Sequence, residues 1–441
     1  MNSIRAIILA GISQLAISTA GFADNAVVRA NANMGLAMIA ACQSPVGNPF
    51  HESRAYAMAN LAIHDALNAI ERKYQPYAYD KKAEAGTSAN AAVASAAYHV
   101  MAPTTAKIPA EVLPNPKCLE NAKAVIEGSY AAALAVIPAE TEQEKAAKEK
   151  GIALGKAAAE AVLAKRANDN ADTGGPYINK TCPPATVAPG KYQCTPGFPF
   201  VAFEKWEVVT PFVLKEHSEF RPGPPYKVDD AKFKADLAEV KTLGSDGKAM
   251  PTTRTPEQTE IALFWYESSP LKWGRIAYTI ANDRKLDLWD SARLMALMQM
   301  GEADGYLAMV SGKNFYDMWR PVTAIHANGD KSWVPLMPTP PDQTYPSGHS
   351  IEGGVGAAVL KGFFGTDQMN FKDCGATMEP GRTCWDDKPT MRSYTTFTQA
   401  AEENAISRVY IGFHFRNDTV EGTNYGRKIG ERAATLLPAT K

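Results

Sequence analysis

The chain has 441 residues, and its 46 Lys plus Arg against 47 Asp plus Glu leave a formal net charge of −1. No block of like charge interrupts that balance, which excludes nucleic acid and an anionic membrane surface as the main partner. The length allows one large single-core domain or two to three average ones, with a sizeable buried core in either case.

Residues 1–23 read as a secretory signal peptide. "MNSIR" carries a positive charge, "AIILAGISQLAIS" is apolar but short for a bilayer span, and "TAGFAD" offers small residues before a cut after Ala23. No later segment has the continuous apolar length of a span, so the mature chain, a single domain over 24–441, is expected to be soluble and secreted or periplasmic. Six cysteines fit an oxidising compartment. Cys182 and Cys194 flank a Pro/Gly-rich stretch and Cys374 and Cys384 flank "GATMEPGRT", which suggests two stapled loops and leaves Cys42 and Cys118. Spacing alone does not fix that connectivity, and no C-x2-C pattern suggests structural zinc.

Helical spacing begins near Arg54, where "SRAYAMANLAIHDALNAIERKY" sets Ala57, Leu61 and Leu67 on one stripe and makes His64 a core histidine. Two more helices follow in "SANAAVASAAYHVMA" and "EKAAKEKGIALGKAAAEAVLAKRAND". From about 172 to 226 Gly, Pro and aromatics replace any period, and "FPFVAFEKWEVVTPFVL" is too apolar for a solvated linker, so the stretch reads as an ordered insertion. Helical patterns resume in "TPEQTEIALFWYES", "WGRIAYTIANDR", "DLWDSARLMALMQMGEADGYLAMVSGKNFYDMW", "SIEGGVGAAVLKGFFG" and "TFTQAAEENAISRVYIGFHF". Strand-like alternation is almost absent. The fold class is all-α, with helices long enough for two bundle-like halves.

Three clusters in the second half carry chemistry. In "KNFYDMWRP", Lys313 and Arg320 are seven apart, which on one helix puts both cations on one face about 10 Å apart along the axis, with Pro321 ending the helix. "YPSGHS" sets Ser347 and Gly348 at a helix start, where a capping hydroxyl and close-approaching backbone N–H groups make an anion site beside His349. In "SRVYIGFHF", Arg408 and His414 are six apart, which is not a same-face spacing, so they converge from different angles on something between them. Together the clusters suit a highly charged oxyanion held by cations and backbone donors, with one histidine attacking its central atom and another exchanging protons.

All three clusters, in this order, resemble the three-part motif shared by vanadium-dependent haloperoxidases and type 2 phosphatidic acid phosphatases. "RAYAMANLAIHDALNAIE", "TPEQTEIALFWYES", "MWRPVTAIH" and "GFHFRNDTVEGTNYGRKIG" resemble the secreted bacterial haloperoxidase-like branch, from about residue 50 onward. The resemblance implies two four-helix bundles. It implies vanadate bonded to His414, its equatorial oxygens held by Lys313, Arg320, Ser347, the Gly348 N–H and Arg408, and His349 as acid-base group. The implied reaction turns hydrogen peroxide and halide into hypohalous acid, with Lys313 polarising the bound peroxide.

The alternative it implies is a secreted acid phosphatase, with no cofactor, that hydrolyses a phosphate ester through a phosphohistidine at His414, with His349 as general acid. A non-catalytic oxyanion-binding protein is a third reading, and the two histidines argue against it. The membrane-spanning helices of the lipid phosphatases are missing, which favours the haloperoxidase. Two departures stand out: Asp342 where chloride-oxidising relatives place an aromatic five residues before the motif serine, and Val310 where a Trp is frequent. Both favour bromide or iodide over chloride, or phosphatase activity outright. Asp304 is a candidate for a carboxylate that orients an arginine, and His326 belongs to a surface turn.

Overall fold

A computed structural model describes residues 25–171, 178–179, 181–182 and 188–440; the expected signal peptide lies outside the described residues. The first half is built on α1 (Ala26–Ala40), α2 (Pro49–Ile70), α3 (Ala89–Ala106), α4 (Lys117–Ala135) and α5 (Glu142–Lys165). Their starts follow local chemistry. Asn25 accepts from Val27 N and Val28 N, Pro49 follows the Asn48 cap, and Thr141 with Glu144 forms a reciprocal capping box. Helix α2 differs from the expected one-sided stripe: α3, α5 and α9 pack round it and nearly every residue from Phe50 to Ala69 is buried. His64 is fully buried, as expected, with Nδ1 3.2 Å from Asp65 and Nε2 without a partner.

Two-residue strands β1 (Ile178–Asn179) and β2 (Val201–Ala202) pair within the loop-rich stretch. Then follow α6 (Ala231–Leu243), α7 (Pro256–Phe264), α8 (Ser269–Asp283), α9 (Leu288–Tyr316), α10 (Pro321–Ala327), α11 (Gly348–Phe364), the antiparallel hairpin β3 (Gln368–Cys374) and β4 (Met391–Thr396), α12 (Phe397–Tyr410) and α13 (Arg416–Ala434). The hairpin is a departure from an all-helical reading. Along β3 Met369, Phe371 and Asp373 turn inward in strict alternation, a period too short to stand out among the helical runs. The disulfides are Cys42–Cys118, Cys182–Cys194 and Cys374–Cys384. Among the described residues no helix is long and apolar enough to cross a membrane.

Helix α9 joins the halves, packing on α2 of the first and on α11 of the second, and it is buried continuously from Ser291 to Lys313 apart from Arg293. Helices α11 and α13 form the closest pair of the second bundle. A Cβ at Gly426 would lie 1.8 Å from Ile351 O, so this approach is open only to glycine. That contact fixes the first turn of α11, where "GHS" lies, against the helix that follows His414.

Candidate oxyanion site

Lys313 sits in the last turn of α9, which stops where Asp317 takes a left-handed conformation with φ 52°. The expected single helix through Arg320 is therefore not formed. Arg320 instead caps α10, and Pro321 begins that helix at its first position, where a missing N–H costs nothing. The turn nevertheless brings both cations to one carboxylate, Asp342: Lys313 Nζ bonds Oδ2 and Arg320 Nη2 bonds Oδ1. Arg320 Nε also donates to Asp342 O at 2.7 Å. Sequence motifs marked Asp342 only as a replaced aromatic; nothing in them signals that it reaches across 22 and 29 residues to the motif cations.

"YPSGHS" does form a helix start, with Ser347 at the cap and Gly348 as first residue. Ser347 makes no capping bond with its side chain; its Oγ accepts from Ser350 Oγ at 2.9 Å, and its N–H donates to Asp418 O at 3.1 Å. His349 is partly buried, with Nε2 3.0 Å from Glu267 O. A carbonyl only accepts, so Nε2 carries the proton and Nδ1 is left as the basic nitrogen. Asn404 Nδ2 holds the His349 carbonyl at 2.9 Å.

Arg408 lies in the last turn of α12, and His414 follows a turn in which Gly412 takes φ 88°. The six-residue gap is closed in that way, from two directions as expected. Arg320 Nη1 donates to Phe413 O and to His414 Nε2, both at 3.0 Å. Because a guanidinium only donates, Nε2 is an acceptor whose one lone pair takes the Arg320 N–H, and the proton resides on Nδ1. There it faces Thr344 Oγ1 at 3.2 Å and Asp418 Oδ2 at 3.3 Å. Asp418 also accepts from Phe415 N at 3.0 Å and from the Thr344 hydroxyl. Thr344 and Asp418 were not legible as site residues, although a carboxylate four positions beyond a histidine is a weak signal.

The electrostatics follow from burial. Burial, then Arg408, lowers His349 well below its ordinary value, and burial with Arg320, Lys313 and Arg408 does the same to His414, so both imidazoles are neutral at pH 7. Burial lowers Lys313 to about 8 against the pull of Asp342. Asp342 would be raised by burial, yet Lys313 and Arg320 outweigh it and hold the carboxyl below its usual range. Burial raises Asp418 to about 7, offset in part by the Thr344 hydrogen bond. Arg408 is buried, spends Nη1 on Trp265 O at 3.3 Å, and leaves Nε without a partner. Of three buried cations, two are thus paired with the carboxylate of Asp342 and the third, Arg408, has none. A donor-rich, acceptor-poor set with an orphaned guanidinium N–H fits a multiply charged oxyanion such as vanadate or phosphate.

Two candidates lie elsewhere. Asp304 orients no arginine; it accepts from the backbone N–H groups of Phe212, Val213 and Leu214 at 2.7 to 2.8 Å and pins that loop to α9. Asp65 does the same for Tyr77, Ala78 and Tyr79 from α2. His326 is partly buried at the end of α10 and spends Nε2 on Trp333 O at 2.8 Å.

Residues 293–439, which hold all three clusters, match the family described as the VCPO second helical-bundle domain. Vanadium chloroperoxidase of Curvularia inaequalis is 25% identical over 256 residues, 45% of this chain and 42% of that relative, so the match spans less than half of its length. A bacterial vanadium-dependent iodoperoxidase superposes with a TM-score of 0.75 at 24% identity, covering 93% of this chain and 95% of that one. The apo form of a bacterial vanadium-dependent chloroperoxidase does so with a TM-score of 0.69 at 16% identity, over 89% and 95%. These superpositions establish a shared fold.

Proposed function

We propose, for a chain whose second bundle belongs to the vanadium chloroperoxidase family and whose fold is that of the vanadium haloperoxidases, that the protein is a vanadate-dependent haloperoxidase. Its substrates would be hydrogen peroxide and a halide, and its product hypohalous acid. The observation that carries this reading is the convergence of Lys313, Arg320 and Arg408 on a buried, neutral His414 whose Nε2 lone pair is held as an acceptor.

Bound vanadate would supply a Lewis-acidic centre that activates peroxide for two-electron oxidation of halide. His414 would hold it through Nε2. Thr344 and Asp418 keep the proton on Nδ1 and fix the ring, as a hydrogen-bonded partner does for a ligating histidine. Lys313, Arg320 and Arg408 would neutralise the oxygens, and Gly348 with Ser347 would bring helix-start donors to them. His349, neutral and basic at Nδ1, would take a proton from incoming peroxide and return it to the product.

Asp342 supports iodide and bromide over chloride. A carboxylate on the solvent side of the pocket cations raises the cost of bringing in a small, strongly hydrated anion, and the larger halides shed water and give up electrons more easily. The iodoperoxidase that shares the fold agrees with this preference. Three disulfides support export to an oxidising compartment.

The test is halogenation of a reporter dye with iodide, bromide or chloride and peroxide, on protein freed of bound anions and titrated with orthovanadate. Activity that rises as vanadate saturates one site is expected. Phosphate-ester hydrolysis that vanadate abolishes, without halogenation, would instead assign His414 Nε2 as the nucleophile of a phosphatase.

A further inference from the structure

We propose that Asp342 is a built-in counter-anion of the pocket, which has to release Lys313 and Arg320 before an external tetrahedral oxyanion can bind, and which thereby sets how tightly vanadate or phosphate is held. The inference rests on the oxyanion reading of the site. Every nitrogen of Arg320 already has a partner: Nε has Asp342 O, Nη1 has Phe413 O and His414 Nε2, and Nη2 has Asp342 Oδ1. Lys313 Nζ is on the other carboxylate oxygen. Asp342 thus holds both cations from one side, and an oxyanion that neutralises the pair through their remaining N–H groups does so in competition with it, because two anions sharing one pair repel.

The geometry also supplies a way out. The Asp342 side chain is 18% exposed, against 4% for Lys313 and 1% for Arg320, so it sits on the solvent side of the cations it pairs. Its backbone is tethered, since Arg320 holds its carbonyl and Ala202 N holds Pro341 O at 2.8 Å. What can move is the side chain, by rotation toward water. Without a bound oxyanion the carboxylate keeps two buried cations paired and prevents the loss that unpaired buried charge would cause; with one, it is displaced. Asp418, which faces His414 rather than the cations, has no such exit, being buried and held by Thr344 and Phe415 N.

The experiment is equilibrium dialysis of orthophosphate, and separately of orthovanadate, against anion-free wild type, Asp342→Asn and Asp342→Ala, with thermal midpoints taken with and without saturating phosphate. Both anions are expected to bind at least about tenfold more tightly to the variants, about 1.4 kcal/mol. The phosphate-induced rise in midpoint is expected to be larger for Asp342→Ala than for wild type. An Asp342→Ala chain that folds only in phosphate is the extreme of the same result, and Asp342→Asn, which keeps the size of the side chain, then supplies the affinity. A purely structural carboxylate predicts weaker binding in both variants, and unchanged or weaker binding overturns the inference. If wild type and both variants bind neither anion, the oxyanion site itself is refuted and the inference with it.

Discussion

Two of the buried charge clusters in the second half of the molecule contain cations, and they are balanced differently. Lys272 and Arg275 of α8 meet Glu267 and Asp373 at 2.8 to 3.0 Å, two cations on two carboxylates, with the Lys272 ammonium 3.4 Å from the Phe264 ring centroid. Lys313, Arg320 and Arg408 have one directly bonded carboxylate, and that one is partly exposed. A closed quartet has nothing left to bind and reads as a clamp between α8 and the β3–β4 hairpin. A cluster with surplus positive charge in a buried setting is complete only with an anion. The two are joined at Glu267, whose side chain belongs to the quartet and whose carbonyl holds His349. A third cluster has the opposite surplus. Glu302 of α9 and Glu352 of α11 are buried against each other with no paired cation among the described residues, and burial raises Glu302 to about 8, so they lose their charge by keeping protons.

The largest effect is expected at His414. His414→Ala should lower halogenation by at least about a thousandfold and abolish vanadate retention, measured by metal analysis after gel filtration. His349→Ala should slow turnover by about 10² to 10⁴ while vanadate affinity changes little, because the role proposed for His349 is to move protons rather than to hold the anion.

Next in size is the closed quartet. Asp373→Ala should cost about 3–5 kcal/mol by leaving buried cations unpaired, and phosphate should not restore its thermal midpoint, whereas phosphate should raise that of the wild type. Rescue by phosphate would break the distinction between the clusters. Arg408→Lys should weaken phosphate or vanadate binding by roughly tenfold with little change in the anion-free midpoint, since an ammonium lacks the planar fork.

The smallest effect is a pH dependence of opposite sign in the balanced and acidic clusters. Burial raises Asp373 but Arg275 and Lys272 outweigh it, so its stabilisation is present above the ordinary value of 3.8 and is lost as pH falls through its lowered folded value. Glu302 is raised from 4.5 to about 8, so its contribution is complete below 4.5 and is lost as pH rises toward 8. Glu302→Gln should therefore stabilise the protein more at pH 8 than at pH 5, read from denaturant melts at the two values.

The helices that carry the pocket were legible because apolar spacing and breakers are local properties. The 287–319 pattern foresaw α9, and "SIEGGVGAAVLKGFFG" foresaw most of α11. Helices α1, α4, α6, α10 and α13 were not singled out as helices; among them α4 and α6 bury few residues, so their stripes are weak. The one-sided face expected of α2 failed because neighbours surround it, which no single segment encodes.

In the site, the sequence by itself singled out the candidate cations, hydroxyl, glycine and histidines, because each cluster is compact along the chain and its chemistry is complete within a few residues. Only the tertiary structure decided how they are poised. Arg320 sits at a new helix start rather than beside Lys313 on one helix. Thr344 and Asp418 choose the His414 tautomer, and the Glu267 carbonyl chooses that of His349. Asp342, which a motif comparison marks only as a missing aromatic, is the carboxylate that closes the cation pair. The physical reason is the same in each case: a proton or a counter-charge is placed by distance in space, and apart from Asp418 the partners that set it here lie on other segments, up to 94 residues away.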